Sequence, residues 1–389
     1  MKAPYTIPRF LIIGAGFSGA VIAHELAKSM ECELDIWEEK LHVAGNCYTS
    51  RDEETGIMVH RYGPHIFNTD KKEIWDYINQ FIQIKPIIHR VKAVANGNVY
   101  SLPINLHTIN QFFKKTFSPE EAKVFLQSQA EPIKDPKSFE EQALSLIGRD
   151  LYKAFFYGYT KKQWGCEPSE LPASILKRLP VRFNYNDNYY NNEFSGIPIE
   201  GYTPFVEKLL NHKNVHVALN RKFDPSDDIS NYNHVFYTGP IDAFFNYKHG
   251  RLGYRTVLFE PFVKEGDYQG TSVINYCEEK VPFTRITEHK HFTPWENHEK
   301  TICFKEFSKE TSGSDLPFYP KRLAKDKTLL YKYREEANSL ENISFLGRLA
   351  TYRYMDMHHV ISEAINFSKI VTSAFSSNKM IPAFPNEEK

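Results

Sequence analysis

Gly14, Gly16 and Gly19 stand in the run GAGFSG, a spacing suited to one task. The first glycine permits a tight turn and the second lets backbone approach a pyrophosphate. The third lets the following helix pack closely, with its N-terminus toward the anion. GxGxxG alone is a weak signal, because a purely structural turn has the same composition. Here residues 9–13 read as a short buried strand before it, and residues 20–28 carry apolar side chains at helical spacing after it. The next strand, 34–37, ends in Glu38 and Glu39, about 20 residues beyond the glycines, where a carboxylate accepts ribose hydroxyls. The chemistry expected from this βαβ pattern is dinucleotide binding.

Two further stretches refine that expectation. The small AGN run, with Ala44 and Asn46 around a glycine, lets backbone come close to a bound cofactor and suits FAD better than NAD. Near the other end, FLGRLATYRYMDMHHVI puts Gly347 and Arg348 at a strand end, followed by a helix whose N-terminus can face a flavin ring. Such a dipole stabilises negative charge on a reduced flavin.

These residues need a scaffold, and at 389 residues the chain exceeds the size at which one core stops growing, about 250–300. The alternating stretch HRVKAVANGNVYSLP, turning at Asn96, Gly97 and Asn98, is a hairpin signal foreign to a doubly wound sheet. Residues 105–180 look helical, with Ser118 and Ser138 as helix starts. The expected architecture is α/β: a Rossmann-type FAD-binding domain assembled from 1–84, 205–245 and 335–389. Into it are inserted a helical substrate domain (105–182) and an antiparallel β-sheet domain (85–104, 183–204 and 246–334). The Asn-rich segment 183–196 favours turns and reads as a loop lining a site.

Composition removes several alternatives. Lys plus Arg and Asp plus Glu number 48 each, so no overall field favours nucleic acid or an anionic membrane, and an anionic ligand must be met by local arginines. The five cysteines are widely spaced, without a CxxC pair or metal-ligand cluster, and read as reduced thiols. The opening MKAPYTIPRF has no apolar stretch before a small-residue cleavage site, and no window approaches about 18 uninterrupted apolar residues. A cytoplasmic protein with no membrane insertion and no metal is expected.

The motifs GAGFSG, YGPHIFNTD, SLPINLHTINQFF, GYTKKQWG, LPASILKRLPVRFNYNDNYY, PFTRITEHK, PFYP and GRLATYRYMDM occur in this order. Together they resemble the bacterial UDP-galactopyranose mutase family nearly end to end. The resemblance implies FAD that is active when reduced, with flavin N5 rather than any side chain as the nucleophile toward the anomeric carbon. The nucleoside diphosphate leaves, the sugar ring opens and recloses through a different hydroxyl, and the diphosphate returns. It also implies a nucleotide-sugar substrate, a homodimer, and a furanose product destined for bacterial surface polysaccharide such as lipopolysaccharide O-antigen.

By the same resemblance, Arg178 and Arg285 hold the diphosphate, with Tyr189, Tyr319 and Tyr354 donating hydroxyl hydrogen bonds. Thr160 and Trp164 match sugar-facing positions, Tyr159 and Phe155 a base-stacking wall, and Asn275 a nucleotide contact. Without the resemblance these aromatics would read as core. Flavin-contacting positions are matched by Gly14, Gly16, Phe17, Gly19, Glu38, Glu39, Asn46, His65, Ile66, Arg348, Met355, Asp356, Met357, His358, His359 and Val360.

Two positions depart from the pattern. Asn68 replaces a histidine expected near sugar and flavin, and His89 replaces an asparagine that commonly faces the sugar. A buried polar group that loses its hydroxyl partner costs about 1–3 kcal/mol, so pockets change when a sugar hydroxyl is lost. UDP-galactopyranose and the 6-deoxy sugar of dTDP-fucopyranose are therefore the expected substrates. UDP-N-acetylgalactopyranose stands third, because no arginine accompanies Asn68. A flavin oxidoreductase of the amine-oxidase type shares the glycine motif but does not require two separated diphosphate arginines.

Overall fold

The run RFLII at Arg9–Ile13 is apolar on both faces, which suits a strand covered on both sides. In the computed structural model, which describes residues 7–178 and 181–385 with side chains at 7–176 and 181–385, this strand is the centre of a five-stranded parallel sheet. The order is Val215–Leu219, Glu33–Glu38, Arg9–Ile13, His234–Tyr237, Ile343–Phe345. Phe10, Ile12, Leu34, Ile36 and Phe236 share one core with the helices Phe17–Ser29 and Met357–Ser376. Leu11, Ile13, Tyr237 and Phe345 share the opposite core with Tyr333 and Ala337 of the helix Ala324–Asn338. Full burial of each such side chain contributes roughly 1.5–3 kcal/mol. The sheet is thus doubly wound, and the expected α/β fold class is borne out.

That last helix begins inside the stretch expected to belong to the antiparallel domain. Its Tyr333 and Ala337 faces are fully buried on the parallel sheet, so packing carries the changeover to an earlier residue. A second difference concerns Phe194–Pro198. Instead of joining the large antiparallel sheet, it pairs with Phe67–Thr69 and Ile84–Pro86 in a separate three-stranded sheet beside the glycine-loop helix.

The large sheet has seven strands in the order Tyr319–Pro320, Tyr254–Glu265, Lys300–Glu310, Arg285–Glu288, Val273–Tyr276, Val91–Ala95, Asn98–Leu102, and it is antiparallel as expected except that Val273–Tyr276 and Val91–Ala95 run parallel. Its hairpin turns at Asn96 and Gly97, whose φ values of 50° and 72° are the positive pair that a two-residue primed turn requires. Between this hairpin and residue 178 lies the helical insertion. Ser118 and Ser138 cap the helices Pro119–Gln129 and Phe139–Leu151, each in a reciprocal capping box with a glutamate three residues on, Glu121 and Glu141. The long helical stretch read from the sequence is broken at Gly148, widens into a π-type turn at Tyr152–Tyr157, and resumes at Gly158–Trp164. No helix among the described residues is long and apolar enough to cross a membrane.

Two glycines allow a test of what the fold demands. A Cβ on Gly19 would lie 2.0 Å from the Gly14 carbonyl oxygen, whereas one on Gly97 meets nothing within 4 Å and faces only its φ of +72°. Gly97→Ala should cost about 1–2 kcal/mol from the left-handed backbone alone. Gly19→Ala should exceed the roughly 1–3 kcal/mol of ordinary overpacking, because the clash is with rigid backbone. Urea unfolding midpoints of the two variants check this; equal losses would contradict the close-packing role of Gly19.

Candidate active site

The C-terminal ends of the parallel strands point toward one side of the molecule, where doubly wound sheets hold ligands. A cavity of about 1010 Å³ opens there, lined by Gly14, Gly16 and Phe17 of the glycine loop, by Gly45 and Asn46, and by Arg348. Small-molecule sites usually span about 300–1000 Å³, so this cavity lies at the upper end of that range. A Cβ on Gly16 would have as its nearest neighbour only the Gly45 Cα, at 3.9 Å, which leaves backbone exposed for close approach. Gly16 also starts the helix Phe17–Ser29 without a side-chain cap, so its first N–H groups are not taken by a capping side chain. Gly19 does not line the cavity and serves the packing described above.

Glu38 lines the cavity, but its carboxylate also has structural work. One oxygen accepts from the Ala15 N–H at 2.8 Å and the other from the Lys40 N–H at 2.9 Å, so the acid holds the glycine loop in shape. Glu39, exposed at the rim, has no such bond shown. Beyond them lies a wall that sequence reasoning missed: Trp37, Arg221, Phe223, Tyr237 and Thr238. Arg221 lies 4.4 Å from the Trp37 ring centroid and pairs with Asp227 at 2.7 Å. The signal was available in principle, since Arg221 lies two residues past the end of the strand Val215–Leu219 and Thr238 directly follows His234–Tyr237.

The other half of the cavity is built by the antiparallel sheet and the turn before Ile66. Asn275, Arg285 and Glu306 stand directly opposite one another across three strands, so all three side chains leave the same face. Arg285 Nε is 2.7 Å from a Glu306 oxygen, and the other Glu306 oxygen accepts from Thr287 Oγ1 at 2.9 Å. Burial works against the arginine's charge. Glu306, then Tyr159 and Tyr319, outweigh it and hold the guanidinium pKa above its ordinary value. Gly63, with φ +95°, brings the His65 turn over this residue; a Cβ there would sit 3.9 Å from an Arg285 terminal nitrogen.

Several expected residues meet at this end. Tyr319 and Tyr354 stack at 5.9 Å with a 14° tilt, and the Arg348 guanidinium lies 5.5 Å from the Tyr319 centroid. Tyr189, Ile66, Asn68, Met355, Asp356, Met357, His359 and Val360 complete the wall, together with the unforeseen Tyr190. Asp356 starts the helix Met357–Ser376 without a side-chain cap bond, and the first turn of this 20-residue helix faces the cavity. The His65 ring Nδ1 donates to the Gly63 carbonyl at 2.8 Å, which leaves Nε2 as an acceptor. Burial, then Arg348, pulls its pKa to about 4, so the ring is neutral at pH 7. Cys47, also on the wall, is pushed up to about 12 by burial against the opposing pull of Arg348, and is inert as a thiolate.

Other expected residues do not line the cavity. His89 is buried behind the aromatic wall, stacked on Tyr190 at 5.8 Å and packed on Phe292 at 6.0 Å. Burial, then Arg285, takes its pKa to about 3. Of the two sequence departures, only Asn68 therefore reaches the cavity, with its Nδ2 donating to the Ile66 carbonyl at 3.1 Å. Phe155 packs on Tyr100 and Phe112 in the core of the helical insertion. His358 is turned away on its helix and buried, unlike its neighbours Met357 and His359. Tyr159, Thr160, Trp164 and Asn275 lie outside the lining, although Tyr159 is close enough to act on the Arg285 charge. From the helical insertion, Ile175 alone among the described residues lines the cavity. The Arg178 side chain lies outside the described residues.

A glycine-cradled cavity at the strand ends of a doubly wound sheet, joined to a cationic antiparallel face, defines a dinucleotide-binding enzyme. Residues 12–81 match the NAD(P)-binding Rossmann-like domain family, and residues 154–354 match the family described as UDP-galactopyranose mutase. A probable UDP-galactopyranose mutase of Klebsiella pneumoniae is 53% identical over 96% of this chain and 97% of its own. The dTDP-fucopyranose mutase of Escherichia coli is 51% identical over 93% and 98%. The fold is similar to a crystal structure of reduced UDP-galactopyranose mutase, with TM-score 0.73 at 15% identity, covering 95% of this chain and 94% of that one. The chain belongs to the UDP-galactopyranose mutase family. It is accordingly an isomerase.

Two neutral histidines, half-buried His65 and buried His89, set an expected pH response. His65 and His89 have folded-state pKa values of about 4 and about 3, below the unfolded value near 6.5. Between pH 6.5 and 4 the unfolded chain binds protons that the folded chain refuses, so stability is present above pH 6.5 and is lost on acidification. Each group contributes a slope of up to about 1.4 kcal/mol per pH unit. Urea unfolding at pH 7 and pH 5 should show a shallower loss in His65→Asn than in the unaltered protein; an unchanged slope would contradict the neutral assignment.

Proposed function

We propose that the chain interconverts the pyranose and furanose forms of a nucleotide-linked, galacto-configured hexose, UDP-galactopyranose or dTDP-fucopyranose, with FAD as the cofactor. The observation that carries this reading is that Arg285, a half-buried cation fixed by Glu306, shares one cavity with the Gly14–Gly16 cradle and the N-terminus of Met357–Ser376. A glycine cradle alone fits many dinucleotide enzymes. A fixed arginine beside it fits one whose second ligand carries a leaving group of high negative charge.

The cavity residues suit FAD. Gly16 and Gly45 give backbone access for a pyrophosphate, and Glu38 and Glu39 offer acceptors for ribose. The uncapped helix at Asp356 offers a positive dipole end where a reduced flavin carries negative charge. When bound and reduced, FAD supplies the nucleophile for the anomeric carbon.

The chain's own residues bind and orient. Arg285 turns its terminal nitrogens to the diphosphate, neutralises charge as the anomeric C–O bond breaks, and keeps the diphosphate in place for its return. Tyr189, Tyr319 and Tyr354 add neutral hydroxyl donors that do not compete as nucleophiles, and Arg178 supplies a second cation. Neutral His65, bonded to the Gly63 carbonyl, would hold its turn at the cavity wall without adding charge. Asn68, whose Nδ2 is engaged by Ile66, presents its oxygen to the sugar and is the residue expected to read the C6 substituent. The aromatic wall of Tyr189 and Tyr190 limits water around the opened sugar. The relatives named as mutases of UDP-galactopyranose and of dTDP-fucopyranose support both hexoses as substrates. The furanose product is suited to building surface polysaccharide.

The test is to incubate dithionite-reduced protein with UDP-galactopyranose and with dTDP-fucopyranose and to separate products by ring form. One or both should convert with no reductant consumed per turnover. Oxidised protein should be inactive, and stoichiometric peroxide release would point instead to an oxidase. Arg285→Ala should lower kcat/KM by about 10²–10³-fold while flavin absorbance is retained. Ordinary turnover by that variant would remove the diphosphate role of Arg285.

A further inference from the structure

Beside Tyr159, Thr160 and Trp164, the helix Gly158–Trp164 carries Lys162. Its ammonium donates to four backbone carbonyls at once: Tyr276 at 2.7 Å, Glu278 and Phe283 at 2.9 Å, and Val281 at 3.0 Å. An ammonium has only three N–H donors, so four acceptors surround it as carbonyls surround a desolvated cation. Burial pulls the Lys162 pKa to about 8, which leaves the charged form dominant at neutral pH.

The four carbonyls all belong to the turn between the strands Val273–Tyr276 and Arg285–Glu288, and Phe283 is two residues from Arg285. One helical turn before Lys162, Gly158 presses on the same turn; a Cβ there would fall 2.5 Å from the Cys277 carbonyl oxygen. Arg255 ties the far end of the helix, donating to the Gln163 carbonyl at 3.0 Å and the Lys162 carbonyl at 3.2 Å. The helix and the turn are therefore one body. Four carbonyl dipoles aimed at one point would repel each other without a cation among them, so the turn's shape depends on the ammonium.

We propose that Lys162 is a positioning residue for the diphosphate site. Its caged ammonium fixes the turn that leads into Arg285 against the helix that carries Tyr159 and Thr160. The inference rests on the functional reading above. Lys162 itself does not line the cavity, and its effect reaches the ligand through the position of Arg285. Misplacement of about an ångström costs up to about a hundredfold in rate.

The experiment measures binding of UDP and of dTDP to flavin-loaded protein by calorimetry, independent of turnover. Lys162→Met keeps most of the stem and loses the cation. It should weaken diphosphate binding roughly tenfold and lower kcat in addition, with flavin absorbance unchanged. Lys162→Ala opens the cage to a small cation, so its affinity for the diphosphate should recover in ammonium chloride relative to tetramethylammonium chloride at equal ionic strength. A merely structural lysine would give no such preference between the two salts. Ordinary diphosphate affinity in Lys162→Met, or equal affinity of Lys162→Ala in both salts, overturns the proposal. If unaltered protein binds the diphosphates but converts neither sugar nucleotide, the functional reading fails while the Lys162 comparison remains decisive.

Discussion

The ion pair between Arg285 and Glu306 is the interaction on which the rest of the site depends. A guanidinium taken out of water is costly unless its partner is close, well oriented and itself satisfied. Glu306 meets those terms: it is buried, 2.7 Å from Arg285 Nε, and held from its other side by Thr287. The pair lies in register across adjacent strands, so the sheet's pleat rather than a flexible loop sets the direction of the arginine. Nearby histidines are kept neutral chiefly by burial, to which the charge of Arg348 adds at His65 and that of Arg285 at His89.

Two halves meet over that pair. The parallel sheet brings a glycine cradle, an acidic strand end and two helix N-termini, all suited to a long anionic cofactor. The antiparallel sheet brings the cation and Tyr319. The chain passes between them several times, and the connections themselves form walls: the turn at Gly63–Ile66, the aromatic pair Tyr189 and Tyr190, and the segment around Tyr354. A ligand bound by one half is thereby held against a ligand bound by the other. This arrangement supports chemistry between cofactor and nucleotide sugar without a nucleophilic side chain, and the described cavity wall offers none that is activated, since Cys47 is held firmly protonated.

Much of this was legible in the sequence where the cause is local. The glycine loop, the Asn96–Gly97 turn and the serine caps at Ser118 and Ser138 follow from backbone conformations that few residues satisfy, and they stand where expected. What was not legible depends on tertiary placement. Glu38 spends both carboxylate oxygens on backbone N–H groups that only the folded loop presents. His89 is one layer too deep because Tyr190 covers it, and Phe155 fills the helical core; neither fact has a sequence period to betray it. Arg221 and Thr238 were missed because residues 205–245, although expected in the FAD-binding domain, were not divided into strands whose ends could be placed at the cavity. Of the two positions that depart from the family pattern, Asn68 lines the cavity and His89 does not.

The central claim is that the diphosphate leaves the anomeric carbon and returns to it while Arg285 holds it. Positional isotope exchange tests this most directly. The nucleotide sugar is labelled with heavy oxygen at the bridge between the anomeric carbon and the β-phosphorus, then incubated with reduced protein. The account predicts that the label spreads to non-bridging β-phosphate positions at a rate comparable to ring interconversion, because a detached diphosphate can rotate. Conversion between ring forms with the label confined to the bridge would contradict the account.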